Sequence, residues 1–571
     1  MSTSHNESRG RVRVVGFFIL LIWGVLIARL LHIQWWRQED FTSIATRQQV
    51  SSETILARPG DILDRRGRLL ATTITVPSFY VDPAALDNPH DFAAQVAPVL
   101  GLSAEKLSWQ IQEASSRRFL WVKRRLTEEE QQAIEALQLP AHVCGMKVEY
   151  RRHYPQGSLA AHVIGLRDID GQGRGGIEQT FNEQLQGHDG KRRFVRDARG
   201  HVLDVLEEVT QPPVDGAEIT LTLDAVIQLR LEQQLDELVK QYSPCGVCGI
   251  VLDPQRGEIL AMGSRPTLDP NRPQDASELA WKNLCISAVY EPGSTFKPLV
   301  VARALDLKTI QPYDNLDCEH GAYRMGPRVL HDHHPYGFLS VSDVLVKSSN
   351  IGMAKIGESL GNEELYRLAL DYGFGQPTGV ELPGELTGLL RPYASWNQYS
   401  TGSIPMGQEL AATPLQMITA HAVLANGGRR ITPHLLKSAG TPQPQHVVVS
   451  QVVSPQNARW IVQGPLHDVV ARGTGTKAKI EGIEVFGKTG TAQKYDAAAR
   501  EYSHSKHVCS FICGAPANDP QVLVLITVDE PQGGNAGGTV AAPIAANVLK
   551  ESLQYLRPHQ VVERPLEGSA Q

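Results

Sequence analysis

The stretch Glu291–Pro298, EPGSTFKP, places a serine and a lysine three positions apart, directly before the apolar run Leu299–Leu305. If a helix starts at Ser294, Lys297 lies one turn along on the same face, where its amine can reach the serine hydroxyl. This arrangement gives a nucleophile its base, and the helix N-terminus adds backbone N–H groups for a developing oxyanion. Pro298 agrees with this placement because proline is tolerated only near a helix start. The stretch therefore predicts a catalytic serine.

The Ser-x-x-Lys pattern alone is weak evidence. At ordinary residue frequencies it is expected about twice by chance in a chain of this length. The sequence indeed carries further copies at Ser103–Lys106 and Ser503–Lys506. The assignment of the nucleophile therefore depends on other elements of the sequence.

Two such elements follow in order. Ser348-Ser349-Asn350 opens a predicted helix, and Lys488-Thr489-Gly490-Thr491 follows an apolar, strand-like stretch. Gly490 would let the strand backbone come close to a ligand, and Lys488 would supply a cation near the reacting centre. The ordered set of three elements is far more specific than any one of them.

The three elements resemble the motif set of the penicillin-binding proteins and serine β-lactamases, S-x-x-K, S-x-N and K-T-G. The resemblance implies that Ser294 is a nucleophile acylated by its substrate, without a cofactor. It also implies a proton-transfer network of Lys297, Ser348 and Lys488, with Lys297 as the acylation base.

The same resemblance assigns the remaining motif residues to substrate binding. Asn350 would orient the substrate amide, and Thr489 would hold a carboxylate. Gly490 belongs to the same strand motif, and the backbone N–H groups of Ser294 and Thr491 would form the oxyanion hole.

The likeness extends over nearly the whole chain. Four stretches are similar to the non-catalytic pedestal of class B penicillin-binding proteins: Arg58–Ala71, Tyr154–Gly157, Gly173–Glu178 and Leu221–Asp224. A class A enzyme would carry a glycosyltransferase domain between anchor and transpeptidase, and no segment suits it. The length suits the cell-division, FtsI-like type. Two departures, at Met406–Glu409 and Asn535–Ala536, leave the subfamily open but do not touch the three motifs.

The sequence and the resemblance together predict an α+β chain of five parts. These are a cytoplasmic tail (1–13), a transmembrane anchor (14–36), an elongated, strand-rich pedestal with a small helical subdomain (45–215), a transpeptidase domain of β-lactamase-like mixed fold (218–556), and a disordered tail (557–571). Apolar spacing predicts helices over Ser103–Ser115, Thr127–Leu137 and Leu221–Leu238. Gly246–Ser264 is typical of two strands around a turn.

The predicted anchor begins with the uncharged run Val14–Ala28 and, counted to Ile33, reaches the ~20 residues that span a bilayer. Arginines precede the run and tryptophans follow it: Arg9, Arg11, Arg13, Trp35 and Trp36. The positive-inside rule then places the N-terminus in the cytoplasm and the catalytic domain outside the cytoplasmic (inner) membrane. A cleaved signal peptide and a buried core helix are the alternatives. No small-x-small cleavage site follows the run, which favours an uncleaved single-pass anchor.

Composition excludes several other classes. A net charge of −6 and a pI near 6.4 argue against nucleic acid as the main partner. Seven cysteines, an odd number, do not indicate a disulfide framework. Cys318, His331 and His333 are of zinc-ligand type, as is Asp332 between the two histidines, but their spacing fits no standard finger, so no metal site is predicted.

The resemblance implies peptidoglycan stem peptides as substrates and β-lactams as inhibitors. It also implies a polytopic membrane glycosyltransferase and other cell-wall synthesis or division proteins as partners. The alternatives are an elongation-type class B transpeptidase, a β-lactamase or carboxypeptidase, and a non-catalytic β-lactam sensor. Asn350 stands where oxacillinase-type β-lactamases typically have an apolar residue, and the intact motifs argue against a sensor.

Overall fold

The computed structural model describes residues 4–40, 50–196, 202–205, 211–438, 448–496 and 501–556, and the α+β class is confirmed. The chain forms two compact units, Met1–Arg58 with Gly187–Asp215, and Pro59–Gln186 with Gly216–Gln571. The predicted pedestal and transpeptidase boundaries stay predictions. The predicted tail 557–571 and the pedestal start at 45 lie outside the described residues.

The first unit contains an N-terminal helix and a small sheet. The helix Ser4–Leu31 continues into the π-helical turn His32–Trp36. The segment Val12–Trp36, of mean hydropathy 2.6, is the one span in the described ranges that is long and apolar enough to cross a membrane. It coincides with the predicted anchor. The sheet has three antiparallel strands in the order Val50–Ile55, Gly190–Arg196 and Val202–Val205.

The second unit begins with a sheet built on one long strand. Leu69–Val81 pairs antiparallel with Cys144–His153, Leu120–Lys123 and Ile62–Leu63. The sheet continues from Ile62–Leu63 through Ile219–Leu221 to Leu436–Ser438. The pedestal-like stretch Arg58–Ala71 therefore contains the strand Ile62–Leu63 and the start of the strand Leu69–Val81.

Three helices form the small helical subdomain: Pro89–Val99, Ala104–Glu113 and Glu128–Ala136. Thr127 and Glu130 make a capping box at the start of the third helix, which fixes its first turn. Ser103 caps the second helix by accepting a hydrogen bond from Lys106 N. The helices predicted over Ser103–Ser115 and Thr127–Leu137 are thus confirmed.

A buried ion cluster joins two of the pedestal-like stretches. The Glu178 carboxylate accepts hydrogen bonds from Arg152 Nε at 2.6 Å and Arg167 Nε at 2.7 Å. The three side chains are at most 3% exposed. Arg152 also donates to the carbonyl of Gly60 at 2.6 Å. Such a cluster is stable only while its charges compensate one another.

Replacing Glu178 with alanine is therefore expected to lower the free energy of unfolding by about 3–5 kcal/mol, because two buried arginines lose their shared partner. Urea unfolding followed by far-UV circular dichroism measures the change. The matched control is Glu183→Ala at an exposed position on the helix Asn182–Gln186, where a change within about 0.5 kcal/mol is expected. Equal effects of the two substitutions would contradict the structural role of Glu178.

A second, five-stranded antiparallel sheet forms the centre of the second unit. Its strands follow the order Ile259–Arg265, Gly246–Leu252, Val522–Asp529, Glu501–Ala515 and Phe486–Asp496. The strand pair predicted over Gly246–Ser264 is confirmed by the first two of these strands. All seven residues of Gly246–Leu252 are buried, which is typical of a strand covered on both faces.

Helices cover both faces of this sheet. Val251 belongs to one core cluster that includes the inward side chains of Ala225–Tyr242 and Ala542–Leu556. Ile250, on the opposite face, belongs to a second cluster that includes the helix Lys297–Asp306. The alternation of side chains along a strand explains the two clusters. The helix that carries the Ser-x-x-Lys element therefore lies against the sheet.

The predicted helix Leu221–Leu238 is wrong at its start. Leu221 ends a strand, and the helix begins only at Ala225 because the Asp224 side chain caps it by accepting from Val226 N. The remaining helices of the second unit are Ala161–Ile164, Gly176–Thr180, Leu284–Ser287, Val341–Lys347, Asn350–Asp371, Ser400–Ser403, Pro414–Ala425, Pro455–Ile461, His467–Arg472 and Gly537–Val540. Short strand pairs complete it: Leu166–Arg167 with Gly173–Arg174, Asn315–Asp317 with Phe338–Ser340, Ala322–Met325 with Arg328–His331, Leu389–Leu390 with Leu410–Ala411, and Arg429–Ile431 with Val448–Gln451.

Candidate active site

Ser294 lies in a tight turn at the start of a helix. The turn Gly293–Thr295 is of the 3-10 type, and the α-helix begins at Lys297 rather than at Ser294. Pro298 explains the offset, because it has no N–H to donate to the Ser294 carbonyl four residues back. Within the described ranges, the Ser294 backbone N–H and hydroxyl make no hydrogen bond, and the side chain is partly exposed. The nucleophile candidate is thus accessible and free.

Lys297 is completely buried beside the second motif. Its Nζ donates to Ser348 O at 2.6 Å, to Asn350 Oδ1 at 2.9 Å and to Ser348 Oγ at 3.3 Å. Burial lowers the pKa of Lys297 to about 7, while the Asp332 carboxylate acts in the opposite direction. The sequence led us to expect this amine near the Ser294 hydroxyl. Among the described contacts it binds the second motif instead.

Lys488 reaches the same serine from the sheet. It lies on the edge strand Phe486–Asp496, completely buried, and its Nζ donates to Ser348 Oγ at 3.0 Å. Burial, and then the positive charge of Lys297, hold the pKa of Lys488 well below its usual value. Two buried lysines therefore meet at one hydroxyl, an arrangement in which protons can pass between them.

The turn that presents Ser348 has an unusual backbone. Ser348 lies between two helices with φ of 59°, in the left-handed region that residues other than glycine rarely adopt. Ser349 caps the following helix by accepting from Gly352 N at 3.0 Å. Asp332 holds the same helix start, because its carboxylate accepts from Ser349 Oγ at 2.6 Å and from the backbone N–H groups of Asn350 and Ile351. This turn fixes the serine between the lysines.

The third motif is closely packed around its glycine. A Cβ at Gly490 would lie 2.2 Å from Ser510 Oγ, and one at Gly537 would lie 2.3 Å from the Gly490 carbonyl. Gly537 N donates to Thr491 Oγ1 at 3.2 Å. Only glycine fits at these two positions. The segment after the departure Asn535–Ala536 thus packs on the Lys488–Thr491 strand.

Three residues that sequence reasoning missed support the site. Thr474 Oγ1 lies 2.8 Å from Thr489 Oγ1, and His421 Nε2 lies within hydrogen-bond distance, 2.8 Å, of the Thr295 carbonyl. Burial lowers the pKa of His421 to about 4, so this histidine is neutral at pH 7. No local pattern marked Thr474 or His421. Asp332 was noticed only as a candidate metal ligand.

The segment Met406–Glu409 packs against the nucleophile turn. Gly293 N donates to the Gly407 carbonyl at 3.1 Å. Gly407 has φ of 75°, and a Cβ there would lie 2.2 Å from the Gly293 carbonyl. This departure from the family pattern therefore retains the glycine that the close approach requires.

The histidine and cysteine cluster does not converge on a common point. Among the described residues, no group of three or more His, Cys, Asp or Glu side chains could hold a metal ion. Cys318 is buried and its Sγ lies 3.4 Å from Ser349 Oγ. His331 and His333 are exposed. The cluster forms part of the second-motif turn.

Comparison with known families agrees with this architecture. The penicillin binding protein transpeptidase domain matches residues 247–550, and the penicillin-binding protein dimerisation domain matches residues 54–221. Stage V sporulation protein D of Bacillus subtilis is 35% identical over 97% of this chain and 87% of its own length. The probable peptidoglycan D,D-transpeptidase PenA of Neisseria meningitidis is 32% identical over 96% of this chain and 93% of its own.

A solved structure shows the same fold. Penicillin-binding protein 3 of Mycobacterium tuberculosis, crystallised with aztreonam, superimposes with a TM-score of 0.68 at 27% identity, over 88% of this chain and 97% of that one. The chain therefore belongs to the penicillin-binding proteins, in class B, with a dimerisation domain and an FtsI-like transpeptidase domain.

Proposed function

We propose that the chain is a serine-type peptidoglycan D,D-transpeptidase. Ser294 attacks the D-alanyl-D-alanine bond of one stem peptide, the terminal D-alanine leaves, and an amine of a neighbouring strand takes the acyl group. The observation that carries this proposal is the meeting of two buried lysines, Lys297 and Lys488, at Ser348 Oγ. Relatives named as peptidoglycan D,D-transpeptidases over nearly the full chain support the same reaction.

In the proposed acylation step, neutral Lys297 takes the hydroxyl proton of Ser294. A lysine with a pKa of about 7 is partly neutral at pH 7 and can act as a base. Ser348 and Lys488 then pass a proton to the leaving amine, because Ser348 Oγ lies within hydrogen-bond distance of Nζ of both Lys297 and Lys488. Acylation therefore needs no added cofactor.

The substrate carbonyl is stabilised by backbone donors. We assign the oxyanion hole to the N–H groups of Ser294 and Thr491, and the first of these donates to no acceptor within the described ranges. Asn350 orients the substrate amide with its side chain, and Thr489 binds the terminal carboxylate. Gly490, where no Cβ fits, keeps the strand backbone close to the substrate.

The rate of penicillin acylation is expected to rise with pH through about 7, because only the neutral form of Lys297 accepts a proton. One pH unit below this midpoint, the rate should fall about tenfold from its plateau, as the neutral fraction does. Stopped-flow measurement with a chromogenic β-lactam gives the profile. The variant Asp332→Asn should move the midpoint to lower pH, because the Asp332 charge raises the pKa of Lys297. A flat profile from pH 5 to 9 would exclude Lys297 as the titrating base.

We also propose that Val12–Trp36 anchors the chain in the cytoplasmic membrane, with the N-terminus inside and the catalytic part outside. There it would work in septal wall synthesis with a polytopic membrane glycosyltransferase and division proteins. A reporter that is active only after export should be active when fused after Gln571. Protection of the C-terminal part from external protease in spheroplasts would reverse this orientation.

A further inference from the structure

A large cavity in the second unit has an excess of cationic over acidic side chains in its lining. Its volume is about 810 Å³, and its lining includes residues of the strand Cys144–His153 and of the segment 270–281. None of its residues belongs to the three motifs. The lining holds five arginines, Arg125, Arg151, Arg152, Arg167 and Arg174, against one acidic residue, Asp168.

Three of the five arginines are compensated by carboxylates. Arg152 and Arg167 share the buried Glu178, and Arg174 Nε donates to Asp168 Oδ2 at 2.9 Å. These guanidinium groups serve the fold. Any capacity of the cavity to bind an anion must therefore come from the other two arginines.

Arg125 and Arg151 have no carboxylate partner within the described part of the chain. The guanidinium of the half-buried Arg125 donates only to backbone carbonyls among the described residues, including that of Ile169 at 2.9 Å, and its Nε is buried without an acceptor. Arg151 is also half-buried and makes no side-chain hydrogen bond to any described residue. Burial and the charges of Arg124 and Arg151 lower the pKa of Arg125, while the carboxylates of Glu149 and Asp168 act in the opposite direction. Two cations that hydrogen-bond no carboxylate among the described residues therefore line the cavity.

The backbone holds Arg125 in place. Its φ is 56°, a conformation that an arginine maintains only at a cost of about 1 kcal/mol or more. Arg125 N donates to Ser78 Oγ at 2.8 Å, which fixes this turn. Trp281 also lines the cavity, is 47% exposed and offers a flat apolar surface.

We propose that this cavity binds a ligand with two adjacent oxyanion groups, held by Arg125 and Arg151, while the rest of the ligand packs against Trp281. Guanidinium groups match carboxylate and phosphate oxygens in a bidentate manner. A doubly charged group would offset the charges of these two cations, which repel each other in a partly buried place. The cavity is larger than a diphosphate, so it has room for a ligand body. The inference does not depend on the proposed function.

Calorimetric titration of the full-length chain in detergent at low salt tests this site. The probes are inorganic pyrophosphate, for a diphosphate source, and tricarballylate, for a carboxylate source. Saturable binding of at least one probe is expected. The probe that binds more tightly shows whether the oxyanion groups of the ligand are those of a diphosphate or those of carboxylates. Higher sodium chloride should weaken the binding.

Arg151→Gln should weaken that binding about tenfold or more, since a charge-assisted hydrogen bond is lost. Arg151→Lys keeps the positive charge but lacks the paired N–H donors of a guanidinium, so this variant should bind the probe with intermediate affinity. The matched control is Arg117→Gln, an exposed arginine outside the cavity, which should bind as the parent does. If thermal melting shows that Arg151→Gln is unfolded, Arg125→Gln serves in its place. No saturable binding of either probe, or equal binding by the cavity variant and the control, would overturn the proposal.

Discussion

Replacing Ser294 with alanine is expected to abolish covalent labelling of the chain by penicillin. The substitution removes the only atom that we assign to attack the β-lactam carbonyl, whereas the neighbouring groups stay in place. Loss of a nucleophile removes the covalent route itself and not merely a rate factor. Gel fluorescence with a labelled penicillin gives a direct measurement, and thermal melting shows whether the variant is folded.

The two other Ser-x-x-Lys copies provide matched controls. Ser103 accepts a hydrogen bond from Lys106 N as an exposed helix cap, and Ser503 accepts from Lys506 N in the strand Glu501–Ala515. Lys106 and Lys506 are both exposed, so neither serine lies beside a buried lysine amine. Ser103→Ala and Ser503→Ala should therefore label like the parent chain. Label that persists on the folded Ser294→Ala protein would exclude Ser294 as the nucleophile.

Lys488→Ala and Asn350→Ala are each expected to slow acylation roughly 100-fold or more. Lys488 completes the proposed proton path, and removing it leaves Ser348 Oγ in contact with Lys297 alone. Asn350 positions the substrate, and its Oδ1 also accepts from Lys297 at 2.9 Å. The loss corresponds to about 2.7 kcal/mol in the activation free energy. Stopped-flow acylation with a chromogenic β-lactam measures it.

Lys494→Ala serves as the control for Lys488→Ala. It lies on the same strand, but its ammonium is 37% exposed and pairs with Asp529 and Glu530. The substitution removes one lysine from the strand without touching Ser348, so the acylation rate should stay within about twofold of the parent. Equal rates for Lys488→Ala and the parent would remove Lys488 from the mechanism.

Much of the architecture could be predicted because its signals are local. Apolar spacing predicted the helix over Thr127–Leu137, and the apolar run Val14–Ala28 predicted the long N-terminal helix. The order of three short motifs predicted a common site, and the structure brings Lys297, Ser348 and Lys488 together.

The parts that were not predicted depend on contacts that are distant in sequence. Asp332 was grouped with nearby histidines because they are adjacent in the chain, but its carboxylate caps a helix that starts at Asn350. The hydroxyl groups of Thr474 and Thr489 are in contact, and no regular spacing in the sequence predicts that contact. The helix that begins at Ala225 was predicted to begin at Leu221, because apolar periodicity alone does not distinguish the end of a strand from the first turn of a helix.

We propose that Ser294 forms an acyl-enzyme that water does not readily hydrolyse. Water competes with the acceptor amine throughout, so a transpeptidase must exclude or misalign it at the acyl-enzyme. Intact-mass spectrometry of the chain after brief exposure to penicillin, followed over time and by peptide mapping, tests this claim directly. We expect one penicilloyl adduct, located on Ser294, that persists for many minutes at least. An adduct on another residue, or steady hydrolysis of penicillin at many turnovers per minute, would contradict the account and favour a β-lactamase.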